Sequence, residues 1–130
     1  MFPIALQRMK GQMIGDYAFN GCSGLTGDLT IPNSVTSIGK HAFSSCFKLK
    51  EVTIGSGVAY IDGKAFANCE ELNSIISLAI KAPIINNDSF LNIATGGNLI
   101  IPNGATGYNS WMATGGYFLG YYNWTMQTAN

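Results

Sequence analysis

Three copies of one nine-residue phrase govern what this chain can fold into: IGDYAFNGC, IGKHAFSSC and IDGKAFANC, opening at Ile14, Ile38 and Ile61. In each, Ala precedes a phenylalanine (Phe19, Phe43, Phe66), and a cysteine (Cys22, Cys46, Cys69) follows it by three positions. A leucine comes three places later (Leu25, Leu49, Leu72), and then a short alternating segment: LTI at 29–31, VTI at 52–54 and a weaker IIS at 75–77. Val35 and Val58 lead into the next phrase. A fourth, worn copy keeps Ile85 and Phe90, puts Ser89 in the Ala place and Ile93 in the Cys place, and ends on LIIPN at 99–103, an echo of LTIPN at 29–33. A period of about 20 to 29 residues with one short strand per unit is the mark of a leucine-rich-repeat solenoid, whose units bury their apolar side only against their neighbours. One unit offers too few core side chains, at about 1.5 to 3 kcal/mol each, to offset roughly 1 to 2 kcal/mol of backbone entropy for each of its residues.

The phrase IGxxAFxxCxxL followed by V-x-I or L-x-I-P resembles the BspA-like bacterial surface leucine-rich repeats, over the greater part of the chain. Two departures stand out: Asp62 takes the place of the glycine in the IG pair, and the fourth unit lacks its cysteine. The resemblance implies a secreted or surface-attached protein that adheres to host proteins or other cells, with a protein ligand as partner. The expected fold is therefore of α/β class: a right-handed solenoid of about four coils, each one short strand plus a short helical turn at AFxxC. A single domain spans 1–130, with a half repeat or cap at 1–13, repeats at 14–103 and a C-terminal cap at 104–130. At the start, Ile4 and Leu6 are candidates for the half-repeat strand, with Met9 and Met13 covering the first coil.

Side chains alternate along a strand, so Leu29, Ile31, Val52, Ile54, Leu99 and Ile101 should face inward. Their neighbours then form an exposed ladder: Asp28, Glu51, Ser74 and Asn98 in one column, Thr30, Thr53, Ile76 and Ile100 in the next. This strip is the candidate partner-binding surface, because strand faces of curved solenoids commonly serve that role. β-branching alone also accounts for Thr and Ile there.

Charge and chemistry narrow the function further. Seven basic residues cancel seven acidic ones, which leaves no positive field for nucleic acid or anionic lipid. Charged residues make up 11% of the chain, against about 25% in typical soluble domains, so Asn, Ser, Thr and Gly carry the polar surface. No apolar run approaches the roughly 20 residues of a membrane span, and the opening MFPIALQRMK lacks the pattern of a secretory signal. The one histidine, His41, shares a repeat place with Tyr17, Lys64 and Asp88, an outward position, so a dyad with the inward Cys46 is not expected. Three cysteines cannot all pair within one chain; stacked in an interior file, they read as free buried thiols. A three-thiolate metal site lacks a fourth ligand. Neither a metal, nor a cofactor, nor a catalytic residue is implied, and the chain reads as a non-enzymatic binding module.

After Asp88 no charged residue or histidine occurs in 42 positions, and seven aromatics crowd into 108–124. One account makes them a lid over the last coil, with a short helix at Tyr108, Trp111 and Met112. The other makes Tyr117, Tyr121, Tyr122 and Trp124 a carbohydrate platform, flat rings stacking on sugar faces. A third reading of the whole chain is a purely structural spacer or cap of a longer surface protein.

Overall fold

The computed structural model describes residues 12–129 and shows a β-solenoid of about five turns. The N-terminal half repeat expected at Ile4, Leu6 and Met9 lies outside the described residues. The described residues form nine short strands: β1 (Gln12–Ile14), β2 (Gly27–Thr30), β3 (Val35–Ile38), β4 (Leu49–Ile54), β5 (Tyr60–Ile61), β6 (Ser74–Ser77), β7 (Ile84–Ile85), β8 (Asn98–Ile101) and β9 (Thr125–Thr128). They stack into two parallel sheets, one in the order β1-β3-β5-β7 and the other in the order β2-β4-β6-β8-β9. Each of the first four coils thus contributes two strands rather than the single one expected, and the last contributes β9 alone. The segments led by Val35 and Val58, read as connections, run into the strands of the second sheet, β3 and β5.

Register converts the repeat into files of like side chains. Leu29, Val52, Ile75, Leu99 and Met126 are successive partners across one sheet, and Ile14, Ile38, Ile61 and Ile85 across the other. Leu25, Leu49 and Leu72 are buried beside them. The phenylalanines form a third file: Phe19, Phe43, Phe66 and Phe90 stack with centroids 5.3, 5.3 and 5.7 Å apart and interplanar angles of 4°, 9° and 11°. Trp111 extends the file at 5.6 Å from Phe90, tilted by 48°.

The AFxxC phrase does not form a helical turn. Left-handed backbone occurs just before it and within it: at Tyr17, His41 and Lys64, which precede the Ala, with φ of 61°, 57° and 57°, and at Gly21, Ser45, Asn68 and Asn92, which precede the Cys place, with φ of 60° to 68°. No α-helix continues through such residues. Tight turns result, in which N–H groups bond alternately within the turn and to the next coil. Ala42 N–H donates to Gly39 O at 3.1 Å and Ser44 N–H to His41 O at 3.2 Å, whereas Phe43 N–H reaches Ala65 O and Ser45 N–H reaches Ala67 O, both at 2.7 Å. The turns are therefore laddered from coil to coil much as the strands are, which satisfies backbone groups that burial would otherwise strand. Asp62 does not disturb this pattern: its N–H donates to Ile38 O at 2.9 Å as Gly39 N–H donates to Ile14 O at 2.8 Å. Close stacking has a glycine requirement at Gly55, where a Cβ would collide with the backbone of Pro32 in the coil below.

The cysteine file is interior, and its thiols are free. They do more than fill space. Cys46 Sγ–H donates to Phe19 O at 3.3 Å and Cys69 Sγ–H to Phe43 O at 3.1 Å, so each thiol ties its coil to the carbonyl of the preceding phenylalanine. The adjoining Cys46 sulfur and burial together push the Cys69 thiol far above its ordinary range. In the fourth copy, Ser89 Oγ–H serves Asp62 O at 2.9 Å from the Ala place.

Phe43 is fully buried between two other rings, while Phe19, in the first coil, is half-buried. Phe43→Ala should cost about 3 to 5 kcal/mol in denaturant unfolding, and Phe19→Ala less. Equal losses would contradict this packing.

Candidate interaction surfaces

The outward columns expected from the sequence exist in register. Asp28, Glu51, Ser74 and Asn98 are successive partners, as are Thr30, Thr53, Ile76 and Ile100. β9, which the sequence did not reveal, adds Thr125 to the first column and Gln127 to the second. Asp28 and Thr30, on the end strand, are exposed; the other six predicted residues are half-buried. The first column is cross-linked by its own side chains: Ser74 Oγ–H donates to Glu51 Oε1 at 3.0 Å, and Thr125 Oγ1–H to Asn98 Oδ1 at 3.3 Å. The second column carries no such bonds and runs Thr30, Thr53, Ile76, Ile100 and Gln127, so the strip is polar at both ends and apolar at Ile76 and Ile100.

The second sheet has an outward file of its own. Met13, Ser37, Tyr60 and Ile84 are register partners, and Met13, Tyr60 and Ile84 are exposed. Met13 is 70% exposed, so it does not cover the first coil. Beside this file, the connection from β6 to β7 displays Leu78 and Ile80, and a cavity of about 430 Å³ opens among Val58, Ala59, Leu78, Ile80, Lys81 and Ile84. The strands that build this face, β5 and β7, have two residues each, too short for alternation to be read from the sequence.

His41 lies on the outside, its ring stacked on Tyr17 at 4.7 Å and 11°, while Cys46 is buried and bonded to a carbonyl. Nothing brings the two together as a nucleophile and base. Among the described residues, no helix is long and apolar enough to cross a membrane.

The tail aromatics separate into two groups. The short helix expected at Tyr108, Trp111 and Met112 is present as a 3₁₀ helix, Tyr108–Met112, and a second one, Leu119–Tyr122, follows it. Tyr108, Trp111, Tyr122 and Trp124 are buried. Trp111 Nε1–H donates to Pro83 O at 3.0 Å and Trp124 Nε1–H to Ala94 O at 2.7 Å. The indole of Trp124 lies against Gly97, where a Cβ would overlap it. Tyr122 accepts the Asn92 N–H at 2.8 Å, and burial raises its pKa against that bond. Tyr122 and Trp124 therefore do not belong to an exposed sugar platform, because both have their rings and polar atoms committed inside. Tyr117 and Tyr121 remain exposed, edge to face at 5.5 Å and 80°. Perpendicular rings present no common flat surface.

Ser77 explains the weak third strand. It occupies an inward place held by Ile31 and Ile54 in earlier coils, and it is buried. Its hydroxyl lies 2.6 Å from Tyr108 Oη, which itself donates to Ala79 O at 2.7 Å, so Ser77 is the donor to the tyrosine. A polar residue in an otherwise aliphatic file was the sequence signal for this partner in the tail.

Two sheets of short parallel strands, turned through repeated phrases around files of Leu, Ile and Phe, define a leucine-rich-repeat solenoid. Residues 9–113 match the family model of the BspA type leucine rich repeat region, in six copies. The chain belongs to that family. No curated protein and no solved structure matches it.

Burial raises the Tyr108 pKa above its ordinary value, the Ser77 bond opposing. A raised folded pKa means stability that is complete below about pH 10, the unfolded value, and is lost as pH climbs through the folded one. Tyr108→Phe should flatten the alkaline loss and, at pH 7, cost about 1 to 3 kcal/mol by leaving Ser77 and Ala79 O without their partner. Denaturant unfolding between pH 7 and 11 measures both.

Proposed function

We propose that this protein is a non-enzymatic protein-binding module, secreted or held at a bacterial cell surface, that adheres to protein ligands through its strand face. The family supports the repeat module as an interaction device, and the observation that carries the reading is the unbroken register of the two outward columns from β2 to β9. A rigid ladder of this kind presents polar and apolar side chains at fixed spacing of about 4.8 Å, so a partner is read by shape and hydrogen bonding rather than by net charge. Weak single contacts would gain strength from many copies on one cell. In this reading the tail is the lid of the solenoid: Trp111 covers Phe90, and Trp124 and Tyr122 cover the last coil.

A second reading places the contact on the other sheet, favoured by the exposed Met13, Tyr60, Leu78, Ile80 and Ile84. Clustered exposed apolar side chains of this size mark protein contact sites. A carbohydrate role would rest on Tyr117 and Tyr121 alone.

Beads coated with the full chain, presented to immobilised extracellular proteins and to cell monolayers, separate these readings. The double variant Thr53→Lys, Ile76→Lys should reduce retention at least tenfold with an unchanged circular dichroism spectrum. Unaltered retention would remove the β2–β9 sheet face from consideration, and loss only with Ile80→Lys, Ile84→Lys would move the contact to the second sheet. A glycan array that responds to the wild type and falls silent with Tyr121→Ala would favour sugar binding.

A further inference from the structure

Among the described residues, the two outermost strands of the longer sheet, β2 and β9, are built differently. At one end, β2 begins with Gly27 in left-handed backbone at φ 72°, its register with β4 shifts between Gly27 and Asp28, and Asp28 is exposed. A bulge and a charge are the usual means by which an edge strand refuses further pairing. At the other end, β9 has none of these. It pairs with β8 in continuous register, it contains no Pro, Lys or other charge, and it lies in the 42-residue tail that carries no charge at all.

Parity fixes which of its groups are open. Thr125 N–H donates to Gly97 O at 3.0 Å and Ala129 N–H to Ile101 O at 2.8 Å, so the odd-numbered residues face β8. Alternate residues of a strand present their N–H and C=O groups to opposite sides. Met126 and Thr128 therefore turn theirs away from β8, and among the described residues no other strand pairs with β9 on that side.

We propose that β9 is the self-association site of this protein, pairing antiparallel with β9 of a second copy about a two-fold axis at Gln127. The geometry is self-complementary, as a two-fold interface must be. Met126 of one copy faces Thr128 of the other in a hydrogen-bonded pair, and the converse pair completes four backbone bonds. Gln127 meets its own counterpart in the non-hydrogen-bonded place between them, with Cα atoms ~4.5 Å apart, where two side-chain amides can bond to each other on the outer face. An axis normal to the sheet keeps inner face with inner face, so Met126, half-buried against the core, lies beside the Thr128 side chain of the second copy on that face. Because neither end carries charge, the two copies meet without repulsion. A two-fold pairing of this kind is closed, so each β9 edge is used up in the dimer.

Sedimentation equilibrium of the full chain over a wide concentration range tests this, read together with amide exchange. The wild type should form a dimer and nothing larger, with the amides of Met126 and Thr128 gaining protection as concentration rises. Gln127→Lys, which sets two ammonium groups opposite each other at an exposed place, should weaken the dimer at least tenfold. Thr30→Lys, on β2, should leave it unchanged. Met126→Pro, which deletes an N–H that β8 does not use, should also abolish dimers while the Phe43 amide stays protected. A wild type that stays monomeric at millimolar concentration, a dimer indifferent to Gln127→Lys and Met126→Pro, equal weakening by Thr30→Lys, or growth into open polymers would each overturn the proposal.

Discussion

Alternate N–H groups reaching from one coil to the next are the constraint on which this structure rests. They occur in the strands, as expected of parallel sheets, and also in the tight turns, where Phe43 and Ser45 bond to Ala65 and Ala67. A chain tied this closely to its neighbour must repeat its side chains at the same interval, because any residue is held directly above its counterpart. The phenylalanine stack, the isoleucine file and the thiol file all follow from that spacing. The same closeness decides where a side chain is forbidden, as at Gly55 against Pro32.

Left-handed residues are what this arrangement costs locally. Tyr17, His41, Lys64 and Ser45 hold a conformation that costs an L residue about 1 to 3 kcal/mol; the first place is left-handed in three successive coils and the second, with Gly21, Ser45, Asn68 and Asn92, in four. The inter-coil bonds on either side compensate. Where glycine or asparagine takes the place, as at Gly21, Asn68 and Asn92, the strain is smaller. These are also outward places, so variation in size and polarity there has little effect on the core.

How much of this was legible in the sequence depends on how many copies spoke for each feature. Phe, Cys and Leu recur in three clear copies, and their burial and stacking order could be read from spacing alone. So could both outward columns of the longer sheet. The second sheet was not legible, since β5 and β7 hold two residues each and show no alternation. The turn at AFxxC was misread as helical because the inward spacing of Ala, Phe and Cys suits a helical turn and a tight turn equally. In the tail there is one copy of everything, and sorting its rings needs three-dimensional contacts: Trp124 is inside because Gly97 makes room for it, and Tyr108 because Ser77 needs a partner.

The thiol file has a wider consequence. Since Cys46 and Cys69 each donate to a carbonyl of the adjacent coil and all three thiols are free, the stack owes nothing to an oxidising environment and has no pairing to complete. Odd or even numbers of coils are equally acceptable, and a unit can be gained or lost in evolution without orphaning a bridge elsewhere. A disulfide-stapled domain of this size has no such freedom to change its length.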